Sequence, residues 1–135
     1  MKRSLLIALF VLLALTAIMT PAIAQETLHS GTWTKKTYGI DGEWKIVQEG
    51  GKTFVELDAK FSTKKAPDLK IFLSPLPLSE VGDKNATNGS VLISPLDSHQ
   101  GAQRYALPEG TDLSKFKTIM IHCEKYSKLW GGASL

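Results

Sequence analysis

Few side chains in this sequence are of a type that does chemistry, and one stands apart. Cys123 is the single cysteine in 135 residues. A lone cysteine has no disulfide partner within its own chain. Three roles stay open: a buried and inert thiol, a bridge to another molecule, or a thiol or ligand kept for a purpose. On a strand beginning at Lys117, alternation puts Ile119, Ile121 and Cys123 on one face and Met120 and His122 on the other. The isoleucine face is expected to be core, which makes Cys123 a small hydrophobe packed inside. The sharper role is a thiol at the end of a strand, near an opening, where it is oxidised or ligates a metal or heme iron. A reactive thiolate needs positive charge or a metal beside it, and Lys125 and Lys128 are close in sequence. His122 is adjacent but points away on a regular strand, so a joint His–Cys site would need a bulge.

The other candidates carry less. His29, His99 and His122 are scattered, without the His-x-x-x-His or Cys-x-x-Cys spacing of a zinc site, so no metal ligand set is expected. Cys123 lies outside the Cys-x-x-Cys-His pattern of covalent c-type heme. There is no phosphate-binding glycine loop and no nucleophile elbow. Asp97 and His99 share a turn-like stretch with no nucleophile beside them. Asp68 follows Pro67 and reads as a turn residue, and Lys64-Lys65 as a solvated loop. Trp33, Trp44 and Trp130 read as core or rim packing. Asn85-Ala86-Thr87 and Asn88-Gly89-Ser90 match the glycosylation sequon, which matters only where exported chains are glycosylated.

The elements that must position these residues read as β structure. Thr32 to Tyr38 is rich in β-branched and aromatic residues. Gly42 to Gln48 alternates, with Trp44 and Ile46 on one face. Thr53 to Asp58 alternates again, with Val55 and Leu57 together. The Glu49-Gly50-Gly51-Lys52 turn between them predicts a hairpin. Leu69 to Leu73 and Val91 to Ile93 are apolar runs, each followed by Ser-Pro, which marks a strand end or edge. Arg104 to Leu107 and Lys117 to Cys123 follow, then Leu129-Trp130 and Ala133 to Leu135, bent at Gly131-Gly132. Leu78 to Asn88 reads as a loop. Seven to eight short antiparallel strands punctuated by Gly, Pro, Asn and Asp predict an all-β fold, a β-sandwich or a small barrel.

The first residues read as an export signal. Lys2 and Arg3 form a positive head, Leu5 to Ile18 is an uncharged apolar run, and Pro21 ends it before Ala22-Ile23-Ala24. The run is shorter than the roughly 20 apolar residues of a membrane span. Cleavage near Ala24 leaves 25–135 as one domain without a membrane span, periplasmic or extracellular. Loss of Lys2 and Arg3 from 16 basic residues leaves 14 against 13 acidic ones. That balance argues against a nucleic-acid partner, which would need a basic stripe. Export also places the unpaired thiol in an oxidising compartment.

The last third resembles the C-terminal signature of the DM-thirteen domain, the electron-transfer DM domain. That signature is an apolar strand ending in cysteine, an aromatic three residues on, then aromatic-Gly, Ala and Leu. Ile119-Met120-Ile121-His122-Cys123, Tyr126, Trp130-Gly131, Ala133 and Leu135 fit it. Gly31 and Gly42, Pro67-Asp68-Leu69 with Ile71 and Leu73, and Gly101, Gln103, Tyr105, Leu107 and Pro108 agree in order. The resemblance spans about His29 to Leu135. It implies an extracytoplasmic all-β domain acting in redox or electron transfer through its one cysteine, here Cys123, as a thiol or as a ligand to a group such as heme. The residue before that cysteine is commonly aromatic in the family, and here it is His122. The resulting expectation is an exported redox-associated protein with an unknown redox or cell-envelope partner. The rival is a non-enzymatic binding module in which Cys123 is structural.

Overall fold

The computed structural model describes residues 14–135. The positive head and most of the apolar run of the predicted export signal lie outside the described residues. Residues 14–24 are exposed and hold no strand. No helix among the described residues is long and apolar enough to cross a membrane.

Eleven strands follow: β1 (Gln25–Thr32), β2 (Thr34–Lys35), β3 (Ile40–Asp41), β4 (Glu43–Glu49), β5 (Lys52–Leu57), β6 (Ser62–Thr63), β7 (Leu69–Ser74), β8 (Val91–Pro95), β9 (Gln103–Ala106), β10 (Thr118–Cys123) and β11 (Lys128–Ser134). The three two-residue strands are short bridges. Of the remaining eight, seven coincide with expected strands, and β1 was not expected. A four-stranded sheet runs β1-β4-β5-β9 and a five-stranded sheet runs β2-β11-β10-β7-β8, with β3 and β6 paired apart from both. Every pairing between named strands is antiparallel. The two sheets stay separate, so the fold is all-β with a sandwich-like layout, not a closed barrel.

Alternation explains the core. Trp44, Ile46, Val55, Leu57 and Tyr105 project inward from the first sheet. Leu69, Ile71, Leu73, Ile119, Ile121, Cys123, Trp130 and Ala133 meet them from the second, in one buried cluster. The β4–β5 hairpin closes through Gly50 and Gly51, both at positive φ (58° and 76°). That is the two-residue turn whose twist suits a hairpin, and glycine takes it without steric cost. Pro95 is the last residue of β8, an edge strand, where a missing N–H is tolerated.

One expectation changes. The strand over Thr32 to Tyr38 shrinks to Thr34–Lys35, because the chain leaves the first sheet at Thr32 and joins the edge of the second. Leu129-Trp130 and Ala133-Ser134 form one continuous strand, β11, as expected. The outer face of β10 is covered as well. Met120, together with Phe72, Leu129, Val81 and Ala86, forms a second small core under the turns that follow β7.

Candidate functional site

Cys123 ends the central strand of the five-stranded sheet. It pairs with Leu69 of β7 on one side and Lys128 of β11 on the other. Its side chain is 0% exposed and belongs to the main core. The next residue is tied down as well, since the Glu124 N–H donates to the Asp68 carbonyl at 3.2 Å. Cys123 therefore lies on the buried face, as alternation predicted, and at a strand end, but sealed rather than beside an opening. It lines none of the five best-formed surface pockets among the described residues. A thiolate ligand to heme needs an open face for the macrocycle. This packing provides none, so the arrangement does not fit heme ligation by Cys123.

His122 lies on the opposite face. The register shift between β10 and β11 falls at Ile121/His122, with Ile121 opposite Gly131 and His122 opposite Leu129. The extra residue is Trp130, on β11. Strand β10 keeps a regular register with β7, so His122 and Cys123 point apart and form no joint site. His122 is 3% exposed, packs edge-on against Phe72 at 6.2 Å, and has no hydrogen-bond partner at Nδ1. Burial holds its imidazole below the usual value, while the carboxylates of Asp83, Glu124 and Asp68 pull the other way. Asp83 pins this corner: its carboxylate accepts from the Leu129 N–H at 2.8 Å and from Lys128 Nζ at 2.9 Å. Those two contacts, the backbone one first, hold its carboxyl below the usual range.

The bulge turns Trp130 into the centre of a second arrangement. Its carbonyl accepts from the N–H groups of Lys36, Thr37 and Tyr38 at 3.2, 3.0 and 3.2 Å. Those bonds wrap the chain after β2 over the strand and bring Tyr38 onto the indole, ring centroids 4.3 Å apart. Gly131 permits the approach: a Cβ there would lie 2.8 Å from Ile40 Cδ1 and 2.9 Å from the Thr34 carbonyl. Lys64 Nζ sits 4.4 Å from the centre of the Tyr38 ring and 3.4 Å from its hydroxyl. Trp130 is 3% exposed and shares the core cluster with Cys123, from which it is the diagonal neighbour across the sheet. Cys123, Trp130 and Tyr38 thus form a series from the core to the surface.

A family model for Electron transfer DM13 matches residues 32–135. The chain belongs to that family. No curated protein and no solved structure matches it. The matched span covers β2 to β11 and takes in only the last residue of β1, so every contact of the Cys123–Trp130–Tyr38 series lies within the DM13 domain.

The remaining candidates are dispersed in this DM13 chain. His29 is on β1 in the other sheet. His99 is in the loop before β9, where its carbonyl accepts from the Thr63 N–H. Among the described residues, no three or more His, Cys, Asp or Glu side chains converge as a metal site. Asp97 is held by the Tyr105 hydroxyl, which accepts from its N–H at 2.8 Å. The aromatic pair and Lys64 were not visible as a unit beforehand. The available signal was Trp130 followed by Gly131-Gly132, a bulky residue beside two that let another backbone approach.

Proposed function

We propose that the mature protein is an exported electron-transfer domain in which Cys123 is the redox-active residue, reached from the surface through Trp130 and Tyr38. The observation that carries this is the placement of the lone cysteine: fully buried, diagonal to Trp130, whose ring packs at a tilt of 45° against the partly exposed Tyr38. Membership of the Electron transfer DM13 family supports the redox class. Oxidation to sulfenic acid requires an exposed thiolate, and burial disfavours it. Electron exchange needs no solvent contact at the sulfur. Each cycle moves one electron between Cys123 and an external one-electron carrier. Oxidation leaves a thiyl radical, the S–H proton passing to water when the strand end opens, and reduction by the carrier restores the thiol as a proton returns.

Export rests on the charged head, the apolar run and the Ala22-Ile23-Ala24 site. Two features agree with cleavage after Ala24: residues 14–24 are exposed, and β1 begins at Gln25. N-terminal sequencing of the secreted protein tests this, with Gln25 expected first.

The complete burial of Cys123 favours a second reading, a binding module with a structural cysteine. Voltammetry of the folded protein and of Cys123→Ala separates the two. The redox reading expects a one-electron response that the variant loses while its circular dichroism is unchanged. A response identical in both proteins, or none in either, leaves the structural reading.

A further inference from the structure

We propose that the pocket in front of Tyr38 and Trp130 is a binding site for a flat aromatic anion, a carboxylate or sulfonate of two or three fused rings. This goes beyond the electron-transfer reading and does not depend on Cys123. The pocket measures about 470 Å³ and is framed by Tyr38, Trp130, Tyr126, Lys64, Lys65 and Pro67. That volume lies within the usual range for small-molecule sites. Tyr38, Tyr126 and the Pro67 ring supply apolar surface, with the nearly buried Trp130 behind Tyr38. Tyr126 is 55% exposed, the most exposed aromatic among the described residues. An aromatic ring left in water at a pocket mouth has unspent contact area.

The charge around the pocket is of one sign. No carboxylate lines it. Lys128 also reaches it but is paired with Asp83. Lys64 and Lys65 are exposed and form no ion pair among the described residues. They are the cations left to meet an anionic group. Behind them the Trp130 indole N–H is buried in a pocket-lining residue and has no acceptor. Indole nitrogen can only donate, and a buried donor without a partner is unfavourable. Aromatic faces and cations together select a planar anion over a neutral ring or a point charge.

The test is a titration of the full mature domain with 2-naphthoate, followed by the NMR shifts of the Trp130 indole N–H and the Tyr38 ring. Trp130→Phe assigns the indole signal. The expected result is a saturable shift of both groups, weakened at least tenfold in Lys64→Glu/Lys65→Glu. The same titration with neutral 2-naphthamide and with inorganic phosphate should be weaker than with 2-naphthoate. Both lysines are exposed, so the double variant keeps the fold, and its unchanged dispersion elsewhere in the spectrum verifies that. No saturable shift, equal binding by the double variant, or equal binding of phosphate or of 2-naphthamide would each overturn the proposal.

Discussion

The burial of Cys123 has a kinetic consequence that can be measured without knowing any partner. A thiol reagent must reach the sulfur, and the sulfur is 0% exposed. Labelling therefore has to wait for the strand end to open. Opening there breaks the pairing of Cys123 with Leu69 and Lys128, the Glu124–Asp68 backbone bond, and core contacts around Ile121 and Trp130. Domains of this size have a total stability of about 5–15 kcal/mol. A central strand opens near the upper end of the local range, so an opening cost of at least about 4 kcal/mol is reasonable. Every 1.4 kcal/mol is tenfold, so labelling should slow by about 10³ relative to the unfolded chain. The assay compares the rate of reaction with Ellman's reagent in buffer and in denaturing urea. A native rate within tenfold of the unfolded rate would refute the reasoning. It would place Cys123 at an opening and make direct thiol oxidation the natural chemistry.

Three further outcomes follow from the surrounding contacts. Gly131→Ala puts a methyl group against Ile40 and the Thr34 carbonyl; overpacking of this kind costs about 1–3 kcal/mol, read as a lower urea midpoint, and it should loosen the Tyr38–Trp130 stack, read as a change in near-UV circular dichroism. Asp83→Ala leaves the Leu129 N–H without its acceptor, and loss of that bond should cost about 1 kcal/mol in denaturant titration, while Asp83→Asn should recover part of it. His122 has a folded-state pKa below its unfolded value, so the unfolded chain takes up the proton first; its contribution is fully present above about pH 6.5 and is lost as pH falls through the folded value, with a slope of at most about 1.4 kcal/mol per pH unit from one proton. Stability measured at pH 7.5 and 5.5 should differ less in His122→Phe than in the parent.

Strands whose own period marks a buried face were legible from the sequence. The β4–β5 hairpin, with Trp44 and Ile46 opposite Leu57 and Val55, needs only local alternation and a Gly-Gly turn. The same is true of Ile119, Ile121 and Cys123. Strand β1 carries no such pattern. Its polar residues pair with β4 while staying mostly exposed, so its existence depends on a neighbour rather than on its own residues. The second core under the outer face of β10 was hidden for a similar reason. Val81 and Ala86 cover Met120 from a turn-rich segment whose sequence reads as polar loop. The candidate site was half visible. Cys123 could be named, but its route to the surface depends on a bulge at Trp130 and on three N–H groups converging on one carbonyl, and no local spacing encodes that.

The most direct test is protein-film voltammetry of the mature domain beside Cys123→Ala, both verified as folded. The variant removes a small buried side chain at a cost of about 1 kcal/mol, which a domain of ordinary stability tolerates. The expected result is a one-electron response in the parent that is absent from the variant and slowed in Tyr38→Leu. A response of equal size in parent and Cys123→Ala, or none in the parent, would contradict the assignment of electron transfer to Cys123.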